Sequence, residues 1–165
     1  MKQVYVTRAA LSAAEKEELK RVAVALAEAA RATILPLFRS KNLILENKAC
    51  QGFDPVTHVD KAVECALRAI LQEQRPDDGI LGEEYGEISG SSGLTWVLDP
   101  IDGTRSFISG TPTWGVLIAV RDAKGPFFGL IDQPYIGERF IGGLGLNTMA
   151  GPLGAVALQT RSTRV

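Results

Sequence analysis

Two aspartates follow an apolar run in the middle of the chain. Residues 96–98 are three consecutive apolar residues, which predict a short strand buried on both faces. Asp99 and Asp102 come next, with Pro100 between them. In an extended chain the two carboxylates would lie about 10 Å apart. Because Asp-Pro favours a type I turn, whose ends approach within about 7 Å, we predict a turn that brings both carboxylates together. Paired carboxylates of this kind suit metal-assisted phosphate chemistry.

The residues around this predicted turn add a carbonyl ligand and an anion site. The turn leaves the carbonyl oxygen of Ile101 without a ladder partner, so that oxygen can bind a hard cation. Gly103 permits close approach of the backbone to a ligand. If residues 104–107 begin a helix, its first backbone N–H groups face an anion. The pattern predicts neighbouring cation and phosphate sites.

A second acidic pair, Glu83 and Glu84, follows another short apolar run, residues 79–82. If both runs are strands, their ends supply carboxylates to one cleft. Mg²⁺ prefers oxygen ligands at about 2.0–2.1 Å and keeps several waters. Two such ions about 3.5–4 Å apart stabilise the attacking and leaving oxygens of an in-line displacement. Mg²⁺ is therefore the expected cofactor.

Each acidic motif also has a purely structural interpretation. Asp60 lies in the first turn of a predicted helix, where carboxylates commonly cap. Glu83 and Glu84 alone are typical of solvated charges after a strand, and Asp99 with Asp102 can simply frame a turn. Their joint occurrence favours a metal site. For Arg105, contact with phosphate and an exposed salt bridge both stay open.

The elements that must position these residues are two helices and a set of strands. Ser12 followed by Glu15 predicts a capped first helix, and Thr57 begins a second one that ends before residues 75–79. Strands are predicted at residues 43–46, 113–120, 127–131 and 139–141, with a hairpin at 121–125. This order predicts an α+β fold in which two helices pack on one face of a mainly antiparallel sheet.

In their order and spacing, the acidic motifs resemble the three N-terminal motifs of the inositol monophosphatase family. The motifs are residues 54–60, Glu83-Glu84 and residues 99–104, and the resemblance spans roughly residues 12–145. Residues 104–112 most resemble the histidinol-phosphatase branch. The resemblance implies a layered sugar-phosphatase-like fold. It also implies a Mg²⁺-dependent phosphomonoesterase that uses metal-activated water on histidinol phosphate, inositol monophosphate or a similar small alcohol phosphate.

The same resemblance implies a set of metal ligands. Glu83 and Asp99 would bind a first Mg²⁺ together with the carbonyl of Ile101. Asp99 would bridge to a second ion that Asp102 also holds. Glu83 would count among the catalytic residues as well.

The remaining roles that the resemblance implies concern water and phosphate. Thr104 and Asp60 would form a hydrogen-bonded pair that orients the attacking water. Gly103 and Thr104 would give backbone donors to the phosphate. Glu84 would lie beside the metal cluster, and Lys48 resembles a basic residue near a third metal position.

The chain departs from the family pattern in its second half. Family members run further and supply another metal-binding aspartate from a Trp-Asp motif, but here Trp96 precedes Val97 and Trp114 precedes Gly115. We therefore expect the C-terminal α/β half to be missing. An alternative function is then a truncated noncatalytic metal-binding or protein-interaction module of the same fold. The resemblance also implies a homodimer.

Length and composition indicate the number of domains, the classes of partner and the location to expect. A chain of 165 residues with 45% hydrophobic content predicts one α+β domain over residues 1–165. The net charge of −1 gives no electrostatic reason to expect nucleic acid or a membrane surface as a partner. Two cysteines, Cys50 and Cys65, lack metal-ligand spacing and are expected to be reduced. No apolar signal or spanning segment is apparent, so the cytoplasm is the expected location.

Overall fold

The computed structural model describes residues 11–41, 45–47 and 55–159, giving the backbone alone for 45–47 and 55–57. Its helices are α1 (Ala13–Ile34), α2 (His58–Gln74) and α3 (Thr104–Ile108). The predicted cap of α1 is present: the Glu15 backbone N–H donates to Ser12 Oγ at 3.2 Å, and the Ser12 N–H donates to Glu15 Oε2 at 2.7 Å.

The strands of the described residues form a two-stranded ribbon and one large sheet. The ribbon pairs β1 (Leu45–Asn47) with β2 (Pro55–Thr57). The strands of the large sheet are β3 (Gly79–Gly82), β4 (Gly86–Ile88), β5 (Thr95–Asp102), β6 (Gly115–Asp122), β7 (Gly125–Gln133), β8 (Glu138–Gly143), β9 (Leu146–Gly151) and β10 (Gly154–Ala157). Their order across the sheet is β10-β9-β8-β7-β6-β5-β3-β4.

This sheet is mainly antiparallel, as predicted, with one parallel pair between β3 and β5. Helix α2 packs on β5, and α1 packs on β6 and β7, so both long helices cover one face. On β6, Val116, Ile118 and Val120 are buried, whereas the alternate residues Leu117 and Ala119 are only half-buried. The predicted α+β fold is confirmed.

The core lies between the helices and the sheet. The apolar stripe predicted for α1 is buried at Leu19, Val22, Leu26, Ala30 and Ile34. Helix α2 buries a matching stripe consisting of Val59, Val63, Leu67 and Leu71. Each fully buried aliphatic side chain contributes about 1.5–3 kcal/mol relative to exposure. These stripes hold α2, and the residues at its N-terminal end, against β5.

A buried charge cluster also ties α1 to the sheet. Asp132 on β7 is fully buried and accepts hydrogen bonds from Arg31 of α1, at 2.8 and 3.2 Å, and from Arg139 of β8, at 2.8 Å. Two guanidinium groups therefore compensate one buried carboxylate.

Some sequence predictions differ from the structure or fall outside its description. The hairpin at 121–125 is present as the β6–β7 connection, but β4, β9 and β10 were not predicted. The predicted strand at 43–46 lies partly outside the described residues. Lys48 and Cys50 lie outside them as well. No helix of the described ranges is long and apolar enough to cross a membrane.

Candidate active site

The segment carrying Asp99 and Asp102 is a bulged strand, and the predicted type I turn is wrong. Strand β5 continues to Asp102, with Asp99 opposite Leu117 and Asp102 opposite Gly115. Between these two pairs β5 advances by three residues while β6 advances by two, so β5 contains one extra residue, a β-bulge. In a regular strand, side chains three residues apart point to opposite faces of the sheet. The extra residue of a bulge brings them to the same face. The pairing with β6 thus outweighs the local preference of Asp-Pro for a turn.

Parallel pairing brings Glu83 beside Asp99. In the β3–β5 register Gly82 lies opposite Leu98, and the Glu83 N–H donates to the Leu98 carbonyl at 3.2 Å. The next residue after each of these, Glu83 and Asp99, is acidic, and the Glu83 carboxyl lies close enough to act electrostatically on Asp99. The carboxyl ends of two parallel strands therefore deliver one carboxyl group each to the same point.

The surroundings of Asp99 disfavour its negative charge. Burial, then the charge and hydrogen bond of Glu83, and then the charges of Asp102 and Asp60 raise the pKa of Asp99 to about 7. Within the described residues, Asp99 Oδ1 is buried and has no hydrogen-bond partner. A buried carboxylate oxygen without a donor is costly. A divalent cation would satisfy that oxygen and relieve the repulsion, so these residues fit the expected ion.

The other two aspartates differ in exposure. Asp102 is exposed, whereas Asp60, in the first turn of α2, is buried. Both act electrostatically on Asp99. Among the residues that the structure describes, no three acidic, histidine or cysteine side chains are grouped as a ready-made ion cage. The contact between Glu83 and Asp99 is therefore the centre of the candidate site.

Ile101, Gly103 and Thr104 lie at the junction of β5 and α3. The Thr104 hydroxyl donates to the Ile101 carbonyl oxygen at 3.1 Å, so this oxygen has a side-chain partner. A carbonyl oxygen keeps a second lone pair for another ligand. Gly103 has φ 85°, and a Cβ there would lie 2.8 Å from the Thr113 carbonyl oxygen. Only glycine fits where the chain enters α3.

Glu84 and Arg105 differ from each other in exposure. The half-buried Glu84 acts electrostatically on the hydroxyl of Tyr85. Arg105 is exposed on α3. The hydrogen-bonded pair expected between Thr104 and Asp60 stays a prediction, and Lys48 lies outside the described residues.

An apolar hollow of about 800 Å³ borders Asp99. The sheet register aligns Asp99 with Leu117, Ile131 and Phe140 on successive strands, and all four residues line the hollow. Of these three apolar residues, Leu117 is the one on the strand adjacent to Asp99.

Sequence reasoning missed Glu64, a fully buried carboxylate of α2 that contacts the segment after Glu83. The backbone N–H of Glu84 donates to Glu64 Oε2 at 2.7 Å. A signal for it exists in the sequence, because Asp60, Glu64 and Arg68 recur every four residues and so share one side of the helix.

The layered α+β fold, with carboxyl groups converging at the ends of β3 and β5, defines the sugar-phosphatase-like class. Comparison of sequences supports the same assignment: residues 15–161 match the profile of the inositol monophosphatase family. The chain belongs to the inositol monophosphatase family.

Individual relatives share this fold and much of the sequence. The chain is 40% identical over 124 residues to the histidinol-phosphatase of Streptomyces coelicolor, covering 73% of this chain and 46% of that protein. It is 40% identical over 154 residues to the bifunctional phosphatase IMPL2 of Arabidopsis thaliana, covering 92% and 43%. An inositol monophosphatase structure from Zymomonas mobilis aligns with a TM-score of 0.70 and 38% identity, covering 93% and 56%. The chain therefore spans about half the length of the curated relatives it matches.

Proposed function

We propose that this chain forms the metal- and phosphate-binding part of a Mg²⁺-dependent phosphomonoesterase. The observation that carries the proposal is the contact of Glu83 with Asp99, whose Oδ1 is buried without a hydrogen-bond partner in the described residues. In this proposal Glu83, Asp99, Asp102 and the Ile101 carbonyl hold the ions. Mg²⁺, when bound, supplies positive charge for the phosphate and acidifies water.

The substrate we propose is a small polar alcohol phosphate, with histidinol phosphate as the first candidate and inositol monophosphate as the second. The histidinol-phosphatase of Streptomyces coelicolor and that of Mycobacterium tuberculosis are 40% and 39% identical to this chain, which supports the first candidate. In this proposal the motifs of the chain bind the metal and the phosphate, which both substrates have in common. An assay with each substrate distinguishes the two alcohols.

We propose that the remaining site residues orient the attacking water and bind the phosphate. The buried carboxylate of Asp60 lies close enough to act on Asp99, and we assign it, with Thr104, to orienting the attacking water. Thr104 already has its hydroxyl fixed by the Ile101 carbonyl. The backbone of Gly103 and Thr104, at the start of α3, would donate hydrogen bonds to the phosphate. Positioning of this kind lowers the entropic part of the barrier.

The test is phosphate release by the full chain from histidinol phosphate and from inositol monophosphate, with and without Mg²⁺. We expect release that requires Mg²⁺ and is lost in Asp99→Asn, which keeps the shape of the side chain and removes its charge. Glu18→Gln, at a half-exposed position on α1, is the control and should retain full activity. Full activity in Asp99→Asn would reject the proposed ligand role.

A second candidate is a noncatalytic metal-binding or protein-interaction module. It is favoured by relatives named Nus factor SuhB, to which the chain is 41% identical over 88 residues in Haemophilus influenzae. Binding of Mg²⁺ without hydrolysis of either phosphate ester would support the module over the enzyme.

We also propose a domain organisation, a location and an oligomeric state for this chain. Residues 1–165 would act as one α+β domain in the cytoplasm and assemble as a homodimer. The proposed domain is consistent with the continuous core that α1 and α2 share with the large sheet. Sedimentation of the purified chain would test the dimer, and a stable monomer would contradict it.

A further inference from the structure

Glu64 is a buried acidic residue to which the proposed chemistry gives no direct part. Its side chain is fully buried on α2, one helical turn after Asp60. Burial of a carboxylate is costly unless charged and hydrogen-bonded partners compensate it. The partners that Glu64 has therefore indicate what it does.

The partners of Glu64 are mostly backbone groups of the segment that follows Glu83. Its Oε2 accepts from the N–H of Glu84 at 2.7 Å, and its Oε1 accepts from the N–H of Tyr85 at 3.2 Å. Oε1 also accepts from Arg68 Nε at 2.8 Å, and Arg68 in turn donates to the carbonyl of Gly86. One carboxylate and one guanidinium of α2 thus hold three consecutive residues, the last two before β4 and the first residue of β4.

These contacts fix the backbone on both sides of Glu83. On its N-terminal side, Glu83 is held by its own N–H, which donates to Leu98 of β5. On its C-terminal side, Glu64 holds the next two N–H groups. Gly82 leaves the room required, because a Cβ at that position would overlap the Glu64 carboxylate. The direction in which Glu83 leaves the backbone, toward Asp99, is set by these two attachments.

We propose that Glu64 is a positioning residue for the metal site, which holds Glu83 in place against Asp99. The inference rests on the proposed function for the identity of the ion. Glu64 itself does not touch the ion or the substrate in this role. Residues that orient metal ligands typically affect metal affinity by about 10–100-fold when they are replaced.

The main test compares Mg²⁺ binding by the full chain and by Glu64→Gln, using calorimetry at 25 °C. Glutamine has nearly the same volume, but its NH₂ group would face backbone N–H donors, so at least one hydrogen bond is lost. We expect the dissociation constant for Mg²⁺ to rise about 10–100-fold. Amide hydrogen exchange of the metal-free chain should become faster at Glu84 and Tyr85.

Asp78→Asn is the matched control for a merely structural role. Asp78 is another buried carboxylate, and it lies just before the opposite end of β3. It accepts from Trp96 Nε1 at 2.9 Å, Ser92 Oγ at 2.6 Å and Arg75 Nε at 2.7 Å. Its replacement should lower thermal stability but leave Mg²⁺ affinity unchanged. Gly82→Ala, which displaces the Glu64 carboxylate without removing it, should weaken Mg²⁺ binding and serves if Glu64→Gln does not fold.

The outcomes separate this inference from the proposed function. Unchanged Mg²⁺ affinity in Glu64→Gln, or equal weakening in Glu64→Gln and Asp78→Asn, would overturn the positioning role while the metal site stands. Failure of the wild-type chain to bind Mg²⁺ would overturn the proposed function. In that case unchanged amide protection at Glu84 and Tyr85 in Glu64→Gln would overturn the positioning role as well.

Discussion

Glu83 lies beside Asp99 at the carboxyl ends of the only parallel pair in the described sheet, β3 with β5. Two adjacent carboxyl groups repel each other when both are charged. Burial and this repulsion raise the pKa of Asp99 to about 7 in the metal-free chain. The contact therefore has measurable consequences for ion binding and for stability.

The affinity for Mg²⁺ should depend on pH. Because an ion must displace the proton held at Asp99, affinity should rise by about tenfold per pH unit below about pH 7 and level off above it. Calorimetry at pH 6 in two buffers of different ionisation enthalpy should detect release of a proton on binding. At pH 8.5 that release should vanish. Affinity and proton release that do not change between these pH values would contradict the role of Asp99.

Asp99 should also make the metal-free chain less stable as pH rises. Its pKa is raised from 3.8 to about 7 in the folded chain, so the folded state keeps a proton that the unfolded state has lost. The stabilising contribution is complete below about pH 3.8 and is lost as pH rises through about 7. Denaturant unfolding between pH 5 and 8 should show this decline in wild type and a flatter profile in Asp99→Asn. An equal decline in both chains would contradict the assignment.

Gly103 should be intolerant of a side chain. Gly103 and Gly145 have nearly the same φ, 85° and 83°, but a Cβ meets the Thr113 carbonyl oxygen only at position 103. Gly145→Ala should cost about 1–2 kcal/mol, the penalty for a left-handed residue. Gly103→Ala should cost more in denaturant unfolding, because the close contact adds to that penalty. An equal cost for the two variants would show that the junction before α3 relaxes freely.

Asp132 should matter for stability and not for metal binding. Asp132→Asn removes the charge that compensates Arg31 and Arg139, and breaking a buried pair costs about 3–5 kcal/mol. The partly exposed Arg31 argues for the lower end of this range. Glu18→Gln, which breaks an exposed pair with Arg21, should leave stability unchanged. Mg²⁺ affinity should be that of wild type in both variants, and a loss in Asp132→Asn would contradict a purely structural role.

Local sequence signals predicted the elements whose stability is mostly local. The box formed by Ser12 and Glu15 and the apolar stripe of α1 predicted that helix and its buried face. The turn between β6 and β7 was predicted from its polar residues and Gly125. By contrast, β9 and β10 are exposed along much of their length and rich in Gly and Ala. Their formation depends on pairing, of β9 with β8 and of β10 with β9, rather than on an apolar pattern.

The site was predictable in its composition but not in its geometry. The acidic residues at the ends of two apolar runs indicated that Glu83 and Asp99 would meet. The bulge between Asp99 and Asp102 was not predictable, because it is imposed by the register with β6. The four-residue spacing of Asp60, Glu64 and Arg68 indicates a shared helix side, but the backbone N–H groups that Glu64 accepts from are about 20 residues away in sequence and could not be predicted.

The most direct measurement is the location of Mn²⁺, as a substitute for Mg²⁺, in crystals of the full chain by anomalous scattering. We predict an anomalous peak bounded by the carboxylates of Glu83 and Asp99 and by the carbonyl oxygen of Ile101, and no such peak in Asp99→Asn. A well-ordered site without a peak, with Glu83 and Asp99 still adjacent, would contradict the proposed metal site.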